Sequence, residues 1–352
     1  MHIYFEAMLP HNFFKHLQVS TNNAHKNPPK KEIPLLNFYK WLAQSIIFMI
    51  LGLHSQKDLW QTKGIIIDYP EKEKGLEREA WKFINSHIEY STDEVQNILT
   101  AAWQDHLSPG TYLTIDEARI PAHPRNEDPL SFNKDKPERW AMECHTLNDT
   151  ATSYLLNFDL PKSESAFESL YSLATCIPDP PKHHITADKH FGNLPQLEKL
   201  AQAGFYATLN CKENSQPTKL WKGGLGVGLP KGKSRWAKKN NITAACFYNK
   251  GKLHLLSNAL IVSDGGLSNY VERKKFLDHY DATKRGGDQF NLMVANFHNH
   301  HSHNSPSRSF LVGVIEWGLT NGYILYKYNT KTPLSHRDYL MEIVTYLLKK
   351  NN

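Results

Sequence analysis

The sequence predicts an α/β protein in which a helical N-terminal region precedes a mixed sheet. Helical patterns dominate residues 1–105, and the periodicity changes to that of strands after Pro109-Gly110. Residues 183–211 then follow a strand–helix–strand pattern, which is typical of a sheet with helices packed on it. A chain of 352 residues that is 40% hydrophobic is large enough for two domains or one elaborated domain.

Two amphipathic helices are predicted before residue 105. In the first, the apolar residues of 38–49 recur at helical spacing. The second, "STDEVQNILTAAW" (91–103), opens with Ser91 and Glu94 in the spacing of a capping box.

Five strands are predicted after residue 109, with a helix between the last two. The helix, "LPQLEKLAQAG", ends at Gly204, a residue type that favours the end of a helix. The strands alternate apolar and polar residues or are rich in β-branched and aromatic residues. They are "TYLTIDEARI" (111–120), "RWAMECHTL" (139–147), "SYLLNFDL" (153–160), "HHITAD" (183–188) and "FYATLNC" (205–211).

Residues 214–263 form a basic segment with no Asp or Glu and nine Lys or Arg, in a protein whose formal net charge is +6. Such a distribution fits a surface that binds a polyanion, and it also fits a solvated loop. The segment contains a predicted hairpin that turns at Asn249 to Gly251. Candidate DNA contacts lie in its densest part, with the tryptophan as a stacking ring: Lys231, Lys233, Arg235, Trp236, Lys238 and Lys239.

Several other classes of protein find no support in the sequence. The four cysteines form no CxxC pair, so neither a zinc ribbon nor a redox dithiol is expected. The most apolar run, 41–53, is shorter than the roughly 20 residues of a membrane span, so a soluble intracellular protein is expected. "GGLGVGLPKGKS" (223–234) lacks the spacing of a phosphate-binding loop, and "HNHHSHN" (298–304) is interpreted as a polar helix end.

Three aspartates stand where separate elements end or begin. Asp116 and Asp188 each end a predicted strand, and Asp288 begins a helix after two glycines. Oxygen ligands from separate elements suit Mg²⁺ or Mn²⁺, and two such ions can activate water in phosphodiester chemistry. Taken singly, each aspartate is also explained as a helix cap or a turn residue.

The sequence words around these aspartates resemble, in the same order, those of piggyBac-type transposases. The most specific are "DKHF", which is followed by a leucine-rich helix, and "GGDQ". The resemblance extends from residue 20 to the last helix. It implies an RNase H-like catalytic core whose three catalytic and metal-binding residues are Asp116, Asp188 and Asp288.

The resemblance also implies a domain organisation and partners. A helical dimerisation and DNA-binding region is expected at 1–105, the first part of the core at 106–213, a β-rich basic insertion at 214–280, and the last helices of the core at 281–352. The implied activity is cleavage and strand transfer of DNA with Mg²⁺ or Mn²⁺. The implied state is a homodimer in the nucleus that binds transposon ends and target DNA, with no membrane association.

Departures from the family pattern leave alternatives open. "GGDQ" is compressed relative to the family's pattern, so Asp281 is the alternative third acid, and Glu117 is a candidate outer-shell residue. The sequence has no counterpart of the family's Cys-rich zinc domain, which favours a transposase-derived DNA-binding protein without catalytic activity. A stand-alone metal-dependent nuclease fits the aspartates but not the family words.

Overall fold

The chain forms two compact units. One comprises Met1–Leu107, Ile120–Met142 and Asn291–Asn352, and the other comprises Ser108–Arg119 and Glu143–Phe290. The division by function into four regions, made from the sequence, stays a prediction. The structure is a computed structural model, and it describes residues 1–24, 32–53, 56–61, 68–122, 130–136, 139–160, 166–213, 224–259, 270–298 and 305–350.

Helices occupy most of the described N-terminal residues, as the periodicity predicts. Ser91 caps the sixth helix, because its side chain accepts a hydrogen bond from the backbone N–H of Glu94. The α-helices are α1 (His2–Met8), α2 (His11–Ala24), α3 (Leu35–Leu51), α4 (Gln56–Leu59), α5 (Arg78–His87), α6 (Thr92–His106), α7 (Ala166–Thr175), α8 (Leu194–Gln202), α9 (Tyr270–Thr283), α10 (Arg285–Ala295), α11 (Pro306–Asn329) and α12 (His336–Lys349).

The first unit is a helical assembly in which α1 packs against α11 and α3 packs against α12. The face of α3 that the sequence predicts is buried, and α12 also buries an apolar face. No helix among the described residues reaches the length and apolar character that a membrane crossing requires.

The strands form one mixed sheet in the order β2-β3-β1-β5-β6-β9-β8-β7, with β4 paired to β3. β1, β5 and β6 run parallel to their neighbours in this group, whereas β6 and β9 are antiparallel. This arrangement agrees with the mixed α/β fold class predicted from the sequence. The strands are β1 (Tyr112–Pro121), β2 (Leu130–Phe132), β3 (Trp140–Asp149), β4 (Leu155–Asp159), β5 (His184–Gly192), β6 (Tyr206–Cys211), β7 (Ser234–Lys239), β8 (Ile242–Tyr248) and β9 (Lys252–Ser257).

The described part of the basic segment is three antiparallel strands that extend the sheet. β9 pairs with β6, β8 pairs with β9, and β7 pairs with β8. The predicted hairpin is present, since Tyr248 and Lys252 are paired across the turn at Asn249 to Gly251. The sequence did not indicate β7, because its lysines and arginine obscure the alternation of a strand.

Candidate active site

Asp116 and Asp188 lie within β1 and β5, directly after the stretch over which these two parallel strands pair. The expectation that each aspartate ends a strand is therefore wrong, because both strands continue for several residues beyond it. β1 and β5 pair in register over four consecutive pairs that begin with Tyr112↔His184, and each aspartate directly follows the last pair. Paired residues are offset by 72 positions (184 − 112), which is also the separation of the two aspartates (188 − 116). The register therefore places the two aspartates at equivalent positions of neighbouring strands, at the level where the β1–β5 pairing stops.

Two glycines bring the start of α10 against β1. A Cβ atom at Gly287 would lie 2.7 Å from Cβ of Asp116 and 2.9 Å from its Oδ2. A Cβ atom at Gly286 would lie 3.0 Å from Oγ1 of Thr114. Only residues without a side chain allow this approach. Asp288 follows in the first turn of α10 and is exposed.

Threonine side chains hold the end of α9 beside the same strands. The carbonyl oxygen of Thr283 accepts hydrogen bonds from Oγ1 of Thr114 (2.7 Å) and Oγ1 of Thr150 (3.1 Å). Oγ1 of Thr186 donates to Oγ1 of Thr283 at 3.0 Å. The last carbonyls of a helix have no partner inside it, so these bonds satisfy a group that is otherwise buried unpaired. Since α10 begins two residues later, they also fix its start next to Asp116.

Burial and nearby negative charges act together on Asp116, whose pKa is raised to about 7. Burial of this half-buried carboxyl is the main cause, and the negative charges of Asp288, Asp188 and Glu117 add to it. A hydrogen bond from the Glu117 backbone N–H to Oδ1, at 2.8 Å, opposes the rise in pKa. A group of carboxylates that repel one another in this way is stabilised by binding a cation.

The other two aspartates and the alternative Asp281 have different surroundings. Asp188 is exposed, and its Oδ1 accepts a hydrogen bond from Asn210 Nδ2 at 2.8 Å, which orients it from β6. Asp281 forms an ion pair with Lys284 at 2.8 Å and is not among the charges that act on Asp116. The geometry therefore favours Asp288 over Asp281 as the third acid, although the catalytic roles stay a prediction.

The candidate DNA contacts in the basic segment differ in their surroundings. Nη1 of Arg235 donates to the carbonyl oxygens of Leu225 (3.2 Å) and Val227 (2.7 Å), so this side chain supports the preceding turn. Trp236 is half-buried and packs edge-on against Phe247, with ring centroids 4.9 Å apart. Both residues thus have structural roles, and their contact with DNA stays a prediction. The lysines of the set are exposed: Lys231, Lys233, Lys238 and Lys239.

Sequence reasoning missed the residues that support the aspartates. Asn210 gave no signal, because a single amide at the end of a strand is common. The threonines do have a sequence pattern that could have identified them. Thr114 and Thr186 stand two residues before Asp116 and Asp188, in "TID" and "TAD". Residues two apart on a strand share a face, so the repeated Thr-X-Asp pattern predicts a threonine under each acid.

We expect Gly287→Ala to destabilise the protein, although alanine is the better helix former. Without a clash the substitution would stabilise the helix by about 1 kcal/mol, whereas forcing a Cβ atom against Asp116 costs about 1–3 kcal/mol. Gly251→Ala is the matched control, since a Cβ atom there meets nothing within 4 Å. Urea unfolding measures both. A Gly287→Ala protein as stable as the wild type or more stable would show that α10 does not press against β1.

Comparison with known proteins gives matches over nearly the whole chain. A profile of the family described as "Transposase IS4" matches residues 2–323. A cryo-EM structure of the piggyBac transposase synaptic complex with hairpin DNA is 16% identical, with a TM-score of 0.83 over 98% of this chain and 79% of that chain. No curated protein sequence matches. The predicted resemblance and the predicted fold class are therefore confirmed.

Proposed function

Because the chain belongs to the Transposase IS4 family, we propose that it cleaves DNA strands and transfers them with Asp116, Asp188 and Asp288 as catalytic and metal-binding residues. Three observations support this proposal: the register of β1 and β5 at Asp116 and Asp188, the close approach of Gly287 in α10 to Asp116, and the negative charges of Asp288 and Asp188 that act on Asp116. The positions of these aspartates depend on strand register and on two adjacent glycines. A surface cluster of acids has no such dependence.

The residues of the site fit divalent cations with a preference for oxygen. Three carboxylates offer up to six oxygen atoms, and Mg²⁺ and Mn²⁺ are bound in proteins through such ligands. Burial and the negative charges of Asp288 and Asp188 raise the pKa of Asp116, and a bound cation would offset these effects. When bound, a pair of such ions supplies activation of water or a 3′-hydroxyl and stabilisation of the leaving oxygen.

The chain's own residues position the DNA strand and the ligands. The exposed carboxylates of Asp188 and Asp288 lie on the solvent side of the site, where a phosphodiester can approach. Nδ2 of Asn210 donates a hydrogen bond to Oδ1 of Asp188. The backbone N–H of Glu117 donates one to Oδ1 of Asp116. These hydrogen bonds limit the rotation of both carboxylates before any ligand binds.

Partners follow from the same proposal. We propose transposon ends and target DNA as substrates, a homodimer as the working assembly, and the nucleus as the location. Support for DNA comes from the relative of known structure, which is a synaptic complex with hairpin DNA. The exposed lysines on and before β7 add a positively charged surface to the sheet.

A plasmid nicking assay with Mg²⁺, Mn²⁺ or EDTA tests the proposed activity. The expected result is nicking that requires the metal ion, together with strand-transfer products when a DNA with a free 3′-hydroxyl is supplied. Nicking without transfer would support a stand-alone nuclease. DNA binding with no cleavage under any metal condition would support the alternative, a transposase-derived DNA-binding protein.

Lysines of the basic segment are expected to contact phosphates. Lys231→Ala with Lys233→Ala should weaken binding to all DNA sequences alike and reduce the salt dependence by about 0.9 log units per lost phosphate contact. Lys327→Ala with Lys331→Ala is the control, because it removes the same charge at two exposed sites elsewhere. Binding curves at three salt concentrations decide the outcome. Equal slopes for both pairs and the wild type would remove this segment from the DNA interface.

A further inference from the structure

A second group of metal-ligating side chains lies in the same unit, and the proposed function does not use it. Glu143 and His145 lie on β3, and His190 lies on β5 two residues after Asp188. One ligand atom from each of the three side chains lies within 4.8 Å of the other two. Glu143 and His145 are two residues apart on one strand, so their side chains share a face of the sheet.

His145 has a buried nitrogen that lacks a partner among the described residues. The residue is only 2% exposed, and no described residue forms a hydrogen bond with its Nδ1 atom. Buried polar atoms nearly always have a partner, because an unpaired one loses its interaction with water without compensation. His145 is grouped with a carboxylate and a second imidazole, so a cation is the partner that this set of side chains indicates.

His190 is oriented by a carboxylate. Its Nδ1 lies 3.2 Å from Oε1 of Glu117. Metal-ligating histidines commonly donate one ring N–H to a carboxylate in this way, which fixes the tautomer and leaves Nε2 as the ligand atom. Glu117 therefore has the geometry of a positioning residue for His190.

Glu143 is held by an ion pair that is compatible with metal binding. Nη1 of Arg119 lies 3.1 Å from Oε2 of Glu143. The ion pair holds the carboxylate where one of its oxygen atoms lies within 4.8 Å of a ring nitrogen of each histidine.

We propose that Glu143, His145 and His190 bind a transition-metal cation of the Zn²⁺ class, at a site separate from the three aspartates. Two imidazoles and one carboxylate are a ligand set typical of Zn²⁺, and one coordination position then remains for water. The three aspartates offer only oxygen and suit Mg²⁺. Binding at the second site would tie β3 to the end of β5 and so steady the segment that carries Asp188.

Cobalt(II) titration of the whole protein without DNA tests this site. Co²⁺ bound by few ligands of this kind absorbs visible light much more strongly than octahedral Co²⁺ bound by oxygen alone. The expected result is a visible band that saturates with one equivalent and persists in a large excess of Mg²⁺. Zn²⁺ should abolish the band by displacing Co²⁺.

Three variants assign the band to residues. His190→Ala, at an exposed position, should weaken Co²⁺ affinity by at least about 100-fold, and Glu143→Gln should weaken it as well. Glu117→Gln should weaken it about 10-fold, because a neutral amide oxygen is a weaker acceptor than a carboxylate for the His190 ring N–H. Circular dichroism of each variant in EDTA checks that the fold is retained.

Two controls separate this site from other metal-binding groups. A variant with His300, His301 and His303 replaced by alanine removes the histidine-rich segment and should keep the band. Asp188→Asn should also keep it, since the aspartates belong to the other site.

A band that disappears in either control and survives His190→Ala would overturn the proposal. A band that Mg²⁺ abolishes would do the same. The measurement does not depend on DNA cleavage, so the transposase proposal can fail while this one holds, and the reverse.

Discussion

Replacing any one of the three aspartates by asparagine is expected to reduce metal-dependent DNA cleavage by about 10³-fold or more. The asparagine side chain keeps the volume of aspartate but loses the negative charge that attracts the cation. A triple variant should be no worse than a single one, because groups that act as a unit lose their effect together. The variants are Asp116→Asn, Asp188→Asn and Asp288→Asn, measured by plasmid nicking.

DNA binding by these variants should be unchanged or tighter, because each substitution removes a negative charge that repels phosphate. Asp281→Asn is the matched control: it makes the same change in a residue that pairs with Lys284. A loss of cleavage in Asp281→Asn, with normal cleavage in Asp288→Asn, would transfer the role of third acid to Asp281. Substantial cleavage by any single variant would remove its residue from the catalytic set.

Asp116→Asn is also expected to stabilise the metal-free protein, increasingly so as the pH rises. The pKa of Asp116 is raised to about 7 in the folded protein, and in an unfolded chain it is near 3.9. At a pH between these two pKa values, Asp116 has lost its proton in the unfolded state and retains it in the folded state. Each rise in pH over this range therefore favours unfolding. Above pH 7 the destabilisation is complete, and its upper limit is about 4 kcal/mol.

Urea unfolding in EDTA between pH 5 and pH 8 measures this difference. Asparagine does not ionise, so the stability gained over the wild type should be small at pH 5 and largest at pH 8. Asp281→Asn serves again as a control for the loss of one charge. A gain that is the same at every pH would mean that the carboxyl group of Asp116 ionises normally in the folded protein.

Elements with a strong local pattern could be predicted from the sequence. The buried stripe of α3 and the capping serine of α6 depend on residues close together in the chain, and so does the turn between β8 and β9. β7 could not be predicted, because it is an edge strand whose lysines and arginine replace the alternation of apolar and polar residues. The short β2 has only three residues and offers too little pattern to detect.

The three aspartates of the candidate site could be predicted from the sequence, whereas the residues that orient them could not. Asp116, Asp188 and Asp288 were chosen from their positions at element ends and from the family resemblance, and the structure brings all three into electrostatic reach. The hydrogen bond from Asn210 and the nearness of Glu143 to His190 depend on which strands are neighbours. That information follows from the order β3-β1-β5-β6, which local sequence does not contain.

The register between β1 and β5 has a consequence for changes in chain length. Asp116 and Asp188 meet because each stands four residues after the first paired residue of its strand, Tyr112 or His184. A one-residue insertion or deletion within either stretch would turn that carboxylate to the opposite face of the sheet, since side chains alternate along a strand. Length changes in the connection between the two strands leave this count intact. Indels should therefore be tolerated outside the strands and helices that lie between β1 and β5, and excluded from the four residues that precede each aspartate.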